Sequence, residues 1–146
     1  MLLKSRQDVQ LIAAQAQDCT LFYQWQTEPG ARRFFRNPQV PVWSDHRSWY
    51  LKVLRCRAVM LYKIMLCGMA VGYIRLDIHN RRDAEISVLI TRKFQGLGLA
   101  ATALKICVFQ HPELRFYAAI KDGNYASRRS FRRAGFRPSG KEMYVR

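Results

Sequence analysis

The sequence predicts an α/β protein built on one mixed sheet (the α+β kind, with antiparallel hairpins in its first half), and three observations predict it. Three β-prone runs, residues 59–65, 70–76 and 85–90, follow one another with only tight turns between them. The third leads towards a glycine turn, Gln95-Gly96-Leu97-Gly98, from which a helical stretch departs. Strand and helix then alternate to the C-terminus, whereas a doubly wound sheet would alternate from the start. With 146 residues, 49% of them hydrophobic and 24% charged, the chain is expected to form one globular domain over residues 1–146.

Val9-Gln10-Leu11-Ile12-Ala13 alternates weakly and reads as a short first strand. Asp18 is placed to cap a helix that carries Leu21, Phe22 and Trp25 on one face and stops at Pro29-Gly30. Phe34-Phe35 forms an apolar cluster ahead of the proline-marked segment Asn37-Pro38-Gln39-Val40-Pro41. Ser44 is expected to cap a second helix through Trp49, Tyr50, Val53 and Leu54. Cys67-Gly68 makes the tight turn between the next two strands, and Arg81-Arg82-Asp83 turns the chain into residues 85–90. Beyond the helix that begins near Ala100 lie a strand over 114–120 and a helix from Tyr125 to Ala134, stopped by Gly135. A strand over 142–145 closes the chain, giving the order β-α-α-β-β-β-α-β-α-β without repeat, linker or low-complexity segment.

A strand that ends in a flexible loop at a helix N-terminus is a phosphate-binding arrangement. Backbone N–H groups converge on the anion there, and glycines let the main chain approach it. Gly96-Leu97-Gly98-Leu99-Ala100-Ala101 also satisfies the dinucleotide pattern G-x-G-x-x-A. That pattern, however, puts its first glycine directly at the strand end, and here several residues intervene. Too little chain follows for the rest of a doubly wound domain. An ordinary strand-to-helix turn is the plainest alternative.

A net charge of +15 calls for an anionic counterpart. Nucleic acid is one candidate, but the arginines are scattered as Arg32-Arg33, Arg55, Arg57, Arg81-Arg82, Arg128-Arg129 and Arg132-Arg133. No nucleic-acid motif accompanies them, which argues against that partner. A coenzyme and a nucleotide-linked acceptor would account for the charge equally well, as would a generally basic proteome. No apolar run approaches the roughly 20 residues of a membrane span, so no membrane insertion is expected. Residues 1–6 turn polar too soon for a signal peptide. Cys19, Cys56, Cys67 and Cys107 lie far apart with no CxxC pair. Neither a metal site nor a disulfide is therefore expected, and a reducing cytoplasm is the expected location.

Two stretches together resemble the GNAT superfamily of acetyl-CoA-dependent N-acetyltransferases. Gln95-Gly96-Leu97-Gly98-Leu99-Ala100 matches the family's pyrophosphate motif Q/R-x-x-G-x-G/A, directly after the fourth strand. Asn124-Tyr125-Ala126-Ser127 with Phe131-Arg132-Arg133-Ala134-Gly135-Phe136 matches an Asn followed by a helix that ends in G-F. Trp25-Gln26-Thr27-Glu28-Pro29 with Arg32-Arg33-Phe34 is similar to members carrying a W-R-N-x-P segment, among them enzymes that acetylate nucleotide-linked amino sugars for bacterial surface glycans. The resemblance covers nearly the whole chain. It implies the GNAT-like acyl-CoA N-acyltransferase fold, acetyl-CoA as co-substrate without a metal, and acetyl transfer to a primary amine by direct attack in a ternary complex. The implied acceptor is a small-molecule amine, a nucleotide-linked amino sugar; a protein or peptide amine is the alternative, and a non-enzymatic basic nucleic-acid-binding module the second. A polycation such as an aminoglycoside would be repelled by a surface of this charge. A homodimer is compatible with the sequence, which does not set the oligomeric state.

Acyl transfer to an amine needs a thioester held still, an unprotonated nitrogen and stabilisation of the charge that develops on oxygen. By resemblance, the backbone of Val88, Leu89 and Ile90 would pair with the pantetheine arm as if it were another strand. Gln95, Gly96, Leu97, Gly98, Leu99, Ala100 and Ala101 would wrap the pyrophosphate. Asn124 would contact the coenzyme, a role compatible with capping the helix that follows. The family's acid and base do not carry over. Many relatives place a Tyr seven residues after the Asn, where this chain has Phe131. N-terminal acetyltransferases of ribosomal proteins place a Glu five residues before it, where this chain has Ala119, which argues against a ribosomal-protein substrate.

Glu85 heads the strand expected to line the cleft and is the candidate base, acting through a water; otherwise it is a rim carboxylate paired with Arg81 or Arg82. Tyr125 is the candidate acid, with Tyr144 behind it. His79 is an alternative base or a solvated turn residue. Trp25, Phe34, Trp49 and Tyr50 would wall the acceptor, with Arg32 and Arg75 facing its anionic groups, although the aromatic residues suit the core equally well. Arg75 stands out because it interrupts an apolar strand. On the last helix Arg128 and Arg132, like Arg129 and Arg133, crowd together as like charges. At least one of these four is expected to reach the ribose phosphate of the coenzyme, unless that face is simply solvated.

Overall fold

The computed structural model describes residues 8–146; the polar stretch 1–6 lies outside the described residues. Strands β1 (Val9–Ala13), β2 (Val59–Leu66), β3 (Met69–His79) and β4 (Asp83–Ile90) pair in that order, each antiparallel to the next. β5 (Arg115–Ala119) then joins β4 in parallel, after the crossover through helix α3 (Leu99–Gln110). β7 (Met143–Val145) runs antiparallel to β5. The two-residue β6 (Arg137–Pro138), which the sequence reading does not contain, sits at the far edge, where a proline can be tolerated. The seven-stranded order is β1-β2-β3-β4-β5-β7-β6.

Both faces of the sheet are covered. On one, α3 and α4 (Tyr125–Arg133) bring Ala103, Leu104, Cys107 and Phe131 against Ile74, Leu76 and Ile86. On the other, α1 (Cys19–Thr27) and α2 (Trp43–Arg55) pack Phe22, Trp25 and Tyr50 onto Leu61, Tyr73 and Leu89. β3 shows how the period-2 pattern serves both: Ile74 and Leu76 face α3 and α4, and Tyr73 faces α1 and α2.

The hairpin turn expected at Cys67-Gly68 is present, with φ of 50° and 81°, the doubly left-handed turn that suits the twist of two paired strands. The register of β2 and β3 slips between Ile64 and Met65, which leaves Val71 as the extra residue of a bulge. Its neighbour Gly72 lies opposite Ile90, and a Cβ there would stand 2.0 Å from the carbonyl oxygen of Leu89.

Two expected helix caps are corrected. Asp18 does occupy the position before α1, but its carboxylate accepts from the Gln15 N–H at 2.8 Å and from Lys63 Nζ at 3.1 Å. Its oxygens thus close the short 3₁₀ turn ahead of the helix rather than the helix itself. α2 begins one residue earlier than its expected cap, so Ser44 lies inside the first turn and Val42 occupies the cap position without a side-chain bond.

His46 of α2 is 1% exposed, with Nε2 at 3.2 Å from the carbonyl of Cys19 and aromatic rings of Tyr23, Trp49 and Tyr50 around it. Burial pushes its pKa below the ordinary 6.5, and the nearby Arg32 pushes the same way, against the bond to Cys19. The folded state binds this proton less readily than the unfolded chain does. The stability His46 contributes is therefore full above about pH 6.5 and is lost as the pH falls below it. Thermal denaturation between pH 7 and pH 5 is expected to show a steeper fall in melting temperature for the natural protein than for His46→Gln. Parallel slopes would remove His46 as the source.

Candidate active site

β4 and β5 pair only over Asp83–Glu85 and Arg115–Tyr117, and then separate. Among the described residues, the remainder of β4 has β3 on one side and no strand on the other. A cleft of about 700 Å³ lies there, walled by β3, β4, the end of β5 and the irregular segment 28–42 between α1 and α2. Val88 lines it, and Leu89 and Ile90 continue the same open edge. Gln95 donates from its side-chain amide to the Ile90 carbonyl at 3.0 Å and so folds the glycine turn back against β4.

In that turn Gly96 and Gly98 have φ of 80° and 77°, and a Cβ on Gly96 would meet nothing within 4 Å. Gly98 occupies the cap position of α3 and no side chain caps that helix, so Leu99, Ala100 and Ala101 open it with N–H groups left to another acceptor. An uncapped helix start behind an open glycine loop fits a pyrophosphate. Asn124 is the cap of α4, its Oδ1 accepting from the Ser127 N–H at 3.3 Å, so the capping role is the one the structure displays.

The polar wall of the cleft comes from alternate residues of two paired strands. Tyr73, Arg75, Asp77 and His79 of β3 face it, with Glu85 and Ser87 of β4 beside them. Asp77 stands directly opposite Glu85, and Arg75 opposite Ser87. Arg75 holds Asp77 with two hydrogen bonds, of 2.8 and 2.7 Å, and lies 5.4 Å from the ring centroid of Trp49. Glu85 pairs with Arg36 at 2.5 Å, not with Arg81 or Arg82. The reason is topological: segment 28–42 reaches over the cleft, whereas the 81–82 turn is engaged by β5, whose Arg115 N–H binds the Arg82 carbonyl.

The remaining predicted residues divide. Arg32 lines the cleft, tied to Gln26 Oε1 and to the Asn37 carbonyl at 2.8 Å each, and Phe34 and Trp49 line it too. Trp25 is buried in the α1–α2 core against Phe22, and Tyr50 is fully buried with its hydroxyl on the Gln15 carbonyl; both are packing residues. Tyr125 is 69% exposed at the start of α4 and stands outside the cleft lining, beside Arg128. Tyr144 is buried in the larger core. Phe131 is buried edge-on against Phe136, so this position presents no group to the cleft. Arg128 is bound to Asp122, while Arg129, Arg132 and Arg133 are exposed.

Several cleft residues escaped the sequence reading. Tyr73 is buried with its pKa pushed up to about 12 by desolvation, partly offset by Arg75 and Arg32, so it stays a neutral donor. Lys121 donates to the Phe35 carbonyl at 2.7 Å and pins segment 28–42 to the end of β5. At the base of the same segment, Glu28 accepts from the Thr91 hydroxyl and from the Arg92 N–H at 3.0 Å. Strict alternation along 73-75-77-79 is the signal that would have found Tyr73 and Asp77. The cleft also corrects the charge argument: four Lys and Arg side chains line it against four carboxylates, so the surplus of +15 resides elsewhere. Among the described residues, no cluster of three His, Cys, Asp or Glu could hold a metal, and no helix is long and apolar enough to cross a membrane.

The family model for the acetyltransferase (GNAT) domain matches residues 8–137, and the chain belongs to that family. It is thus an acetyltransferase-domain protein. One curated relative is the "Putative ribosomal N-acetyltransferase YdaF" of Bacillus subtilis (strain 168), 32% identical over 117 residues, 77% of this chain. The match spans 61% of that protein's length. The ribosomal L7/L12 α-N-protein acetyltransferase RimL, solved with coenzyme A, superposes with a TM-score of 0.84 at 19% identity, covering 95% of this chain and 93% of that one. The aminoglycoside-complexed AAC(6')-Ib gives 0.82 at 21%, covering 94% and 90%. Both share the fold.

Proposed function

We propose that the protein transfers the acetyl group of acetyl-CoA to the primary amine of a small acceptor carrying negative charge, of which a nucleotide-linked amino sugar is the sharpest form, by direct attack in a ternary complex. The observation that supports it most is the half-open edge of β4 leading into an uncapped glycine turn. When bound, acetyl-CoA supplies the activated acetyl thioester. The backbone of Val88 to Ile90 would align its arm, residues 95–101 would hold its pyrophosphate, and Asn124 at the start of α4 would contact it. Across the cleft, segment 28–42 and Trp49 would take the acceptor, and Glu85 would accept the amine proton. Tyr73, kept protonated, is a donor on the same wall. The exposed free thiols of Cys56 and Cys67 fit a reducing compartment such as the cytoplasm.

Calorimetry with acetyl-CoA tests the coenzyme, and mass spectrometry of an amine panel tests the acceptor. Acetylated peptides with no acetylated small amine would sink the small-acceptor form. Glu85→Gln is expected to lower kcat by roughly 10²–10⁴-fold at neutral pH while leaving acetyl-CoA affinity in place, since it removes the proton acceptor alone. A kcat within a few-fold of the natural enzyme would retire Glu85 as the base. A protein N-terminal amine is the second reading, favoured by the names of the YdaF and RimL relatives. A nucleic-acid-binding role, by contrast, predicts salt-dependent RNA or DNA binding that acetyl-CoA does not displace.

A further inference from the structure

We infer that Arg36 and Glu85 form a charge-exchange site that selects a zwitterionic acceptor: the acceptor's ammonium takes Glu85 and its anionic group takes Arg36. The inference rests on the acetyl transfer proposed above and deepens it on one point, the class of acceptor.

Asp77 and Glu85 are directly opposite one another across β3 and β4, a like-charged pair that a sheet tolerates only with compensation. Each has its own arginine, but the two arginines differ. Arg75 grips Asp77 through two nitrogens, beside Trp49, with its side chain 28% exposed. Arg36 reaches Glu85 through one nitrogen from segment 28–42, with its side chain 75% exposed. Arg75 is therefore a fixture and Arg36 a movable counter-ion. An ion pair this open resists separation by no more than about fivefold in an equilibrium constant.

Withdrawing Arg36 leaves two carboxylates facing each other with one arginine between them. An incoming ammonium restores the balance at Glu85, where the proposed chemistry needs the amine. The freed guanidinium is then a planar two-pronged donor at the cleft wall, suited to a carboxylate or a phosphate. The cleft as a whole agrees, because its four cationic side chains are balanced by four anionic ones, and it therefore suits an acceptor that brings both signs rather than a polycation. An acceptor bearing an ammonium and an anionic group together keeps that balance more nearly than one bearing either alone.

Glucosamine and glucosamine 6-phosphate carry the same amine and differ in the phosphate. Steady-state kinetics with both, on the natural enzyme, Arg36→Gln and Arg36→Lys, tests the exchange. The natural enzyme is expected to favour the phosphate by about fivefold or more in kcat/KM. Arg36→Gln is expected to lose on glucosamine 6-phosphate and to gain on glucosamine, where the ammonium no longer competes with a resident guanidinium. Arg36→Lys should recover most of the preference. A preference unchanged in Arg36→Gln, or an equal loss on both acceptors, would overturn the exchange and leave acetyl transfer standing. If the protein binds acetyl-CoA but acetylates neither sugar, nor any other small amine of the panel, the small-acceptor reading has itself failed, and the exchange falls with it.

Discussion

Gly96→Asp is expected to raise the dissociation constant for acetyl-CoA by about 100-fold or more, and Gly96→Asn to raise it far less. The two side chains have nearly one shape, and both are among the residues that adopt positive φ most readily. Neither would meet an atom within 4 Å at its Cβ. They differ in one negative charge, placed where residues 95–101 would hold the pyrophosphate. Like charges brought together at a binding site cost several kcal/mol, and each 1.4 kcal/mol is a factor of ten. Calorimetry on both variants reads the difference. Equal weakening would assign the effect to backbone shape, and an unaffected Asp variant would remove the coenzyme from this turn.

Gly72→Ala is expected to be the most damaging single methyl group in the sheet. Its Cβ would lie 2.0 Å from the Leu89 carbonyl oxygen and 3.0 Å from the Cα of Ile90, and both are backbone atoms that cannot turn aside. β3 and β4 must then part where the bulge at Val71 already bends the sheet. Overpacking of this kind costs about 1–3 kcal/mol or more, which lowers the melting temperature by about 4–10 °C in a domain of this size. Because Leu89 and Ile90 also belong to the edge proposed to pair with the coenzyme, acetyl-CoA affinity should fall with it. A variant that melts like the natural protein would show that the strands can yield.

The order of elements was legible because the signals that set it are local. Alternating runs, Cys67-Gly68 and Gly96-Leu97-Gly98 each act over a few residues, and Gly135 ends its helix with φ of 92°. The caps were harder. Asp18 and Ser44 have the right chemistry, but Lys63, distant in sequence, competes for the first, and the helix start at Trp43 passes over the second. The Arg36–Glu85 ion pair was beyond reach, since its partners are 49 residues apart and meet only because segment 28–42 crosses the sheet. Trp25 and Tyr50 illustrate the ambiguity of aromatic residues on amphipathic helices. The stripe that faces the sheet is core, and Trp49, one position away from Tyr50, is cleft wall.

Glu28 gives the two halves of the cleft a common hinge post. Its carboxylate holds the Thr91 hydroxyl and the Arg92 N–H, where β4 hands over to the glycine turn, while its own backbone opens the segment that crosses the cleft and is proposed to take the acceptor. A ligand that shifts either loop works against the same two bonds. Free energy spent there by one such ligand would be felt by another that moved the second loop, and by reciprocity in equal measure. Two substrates that each displaced one of these loops would be thermodynamically linked without touching one another.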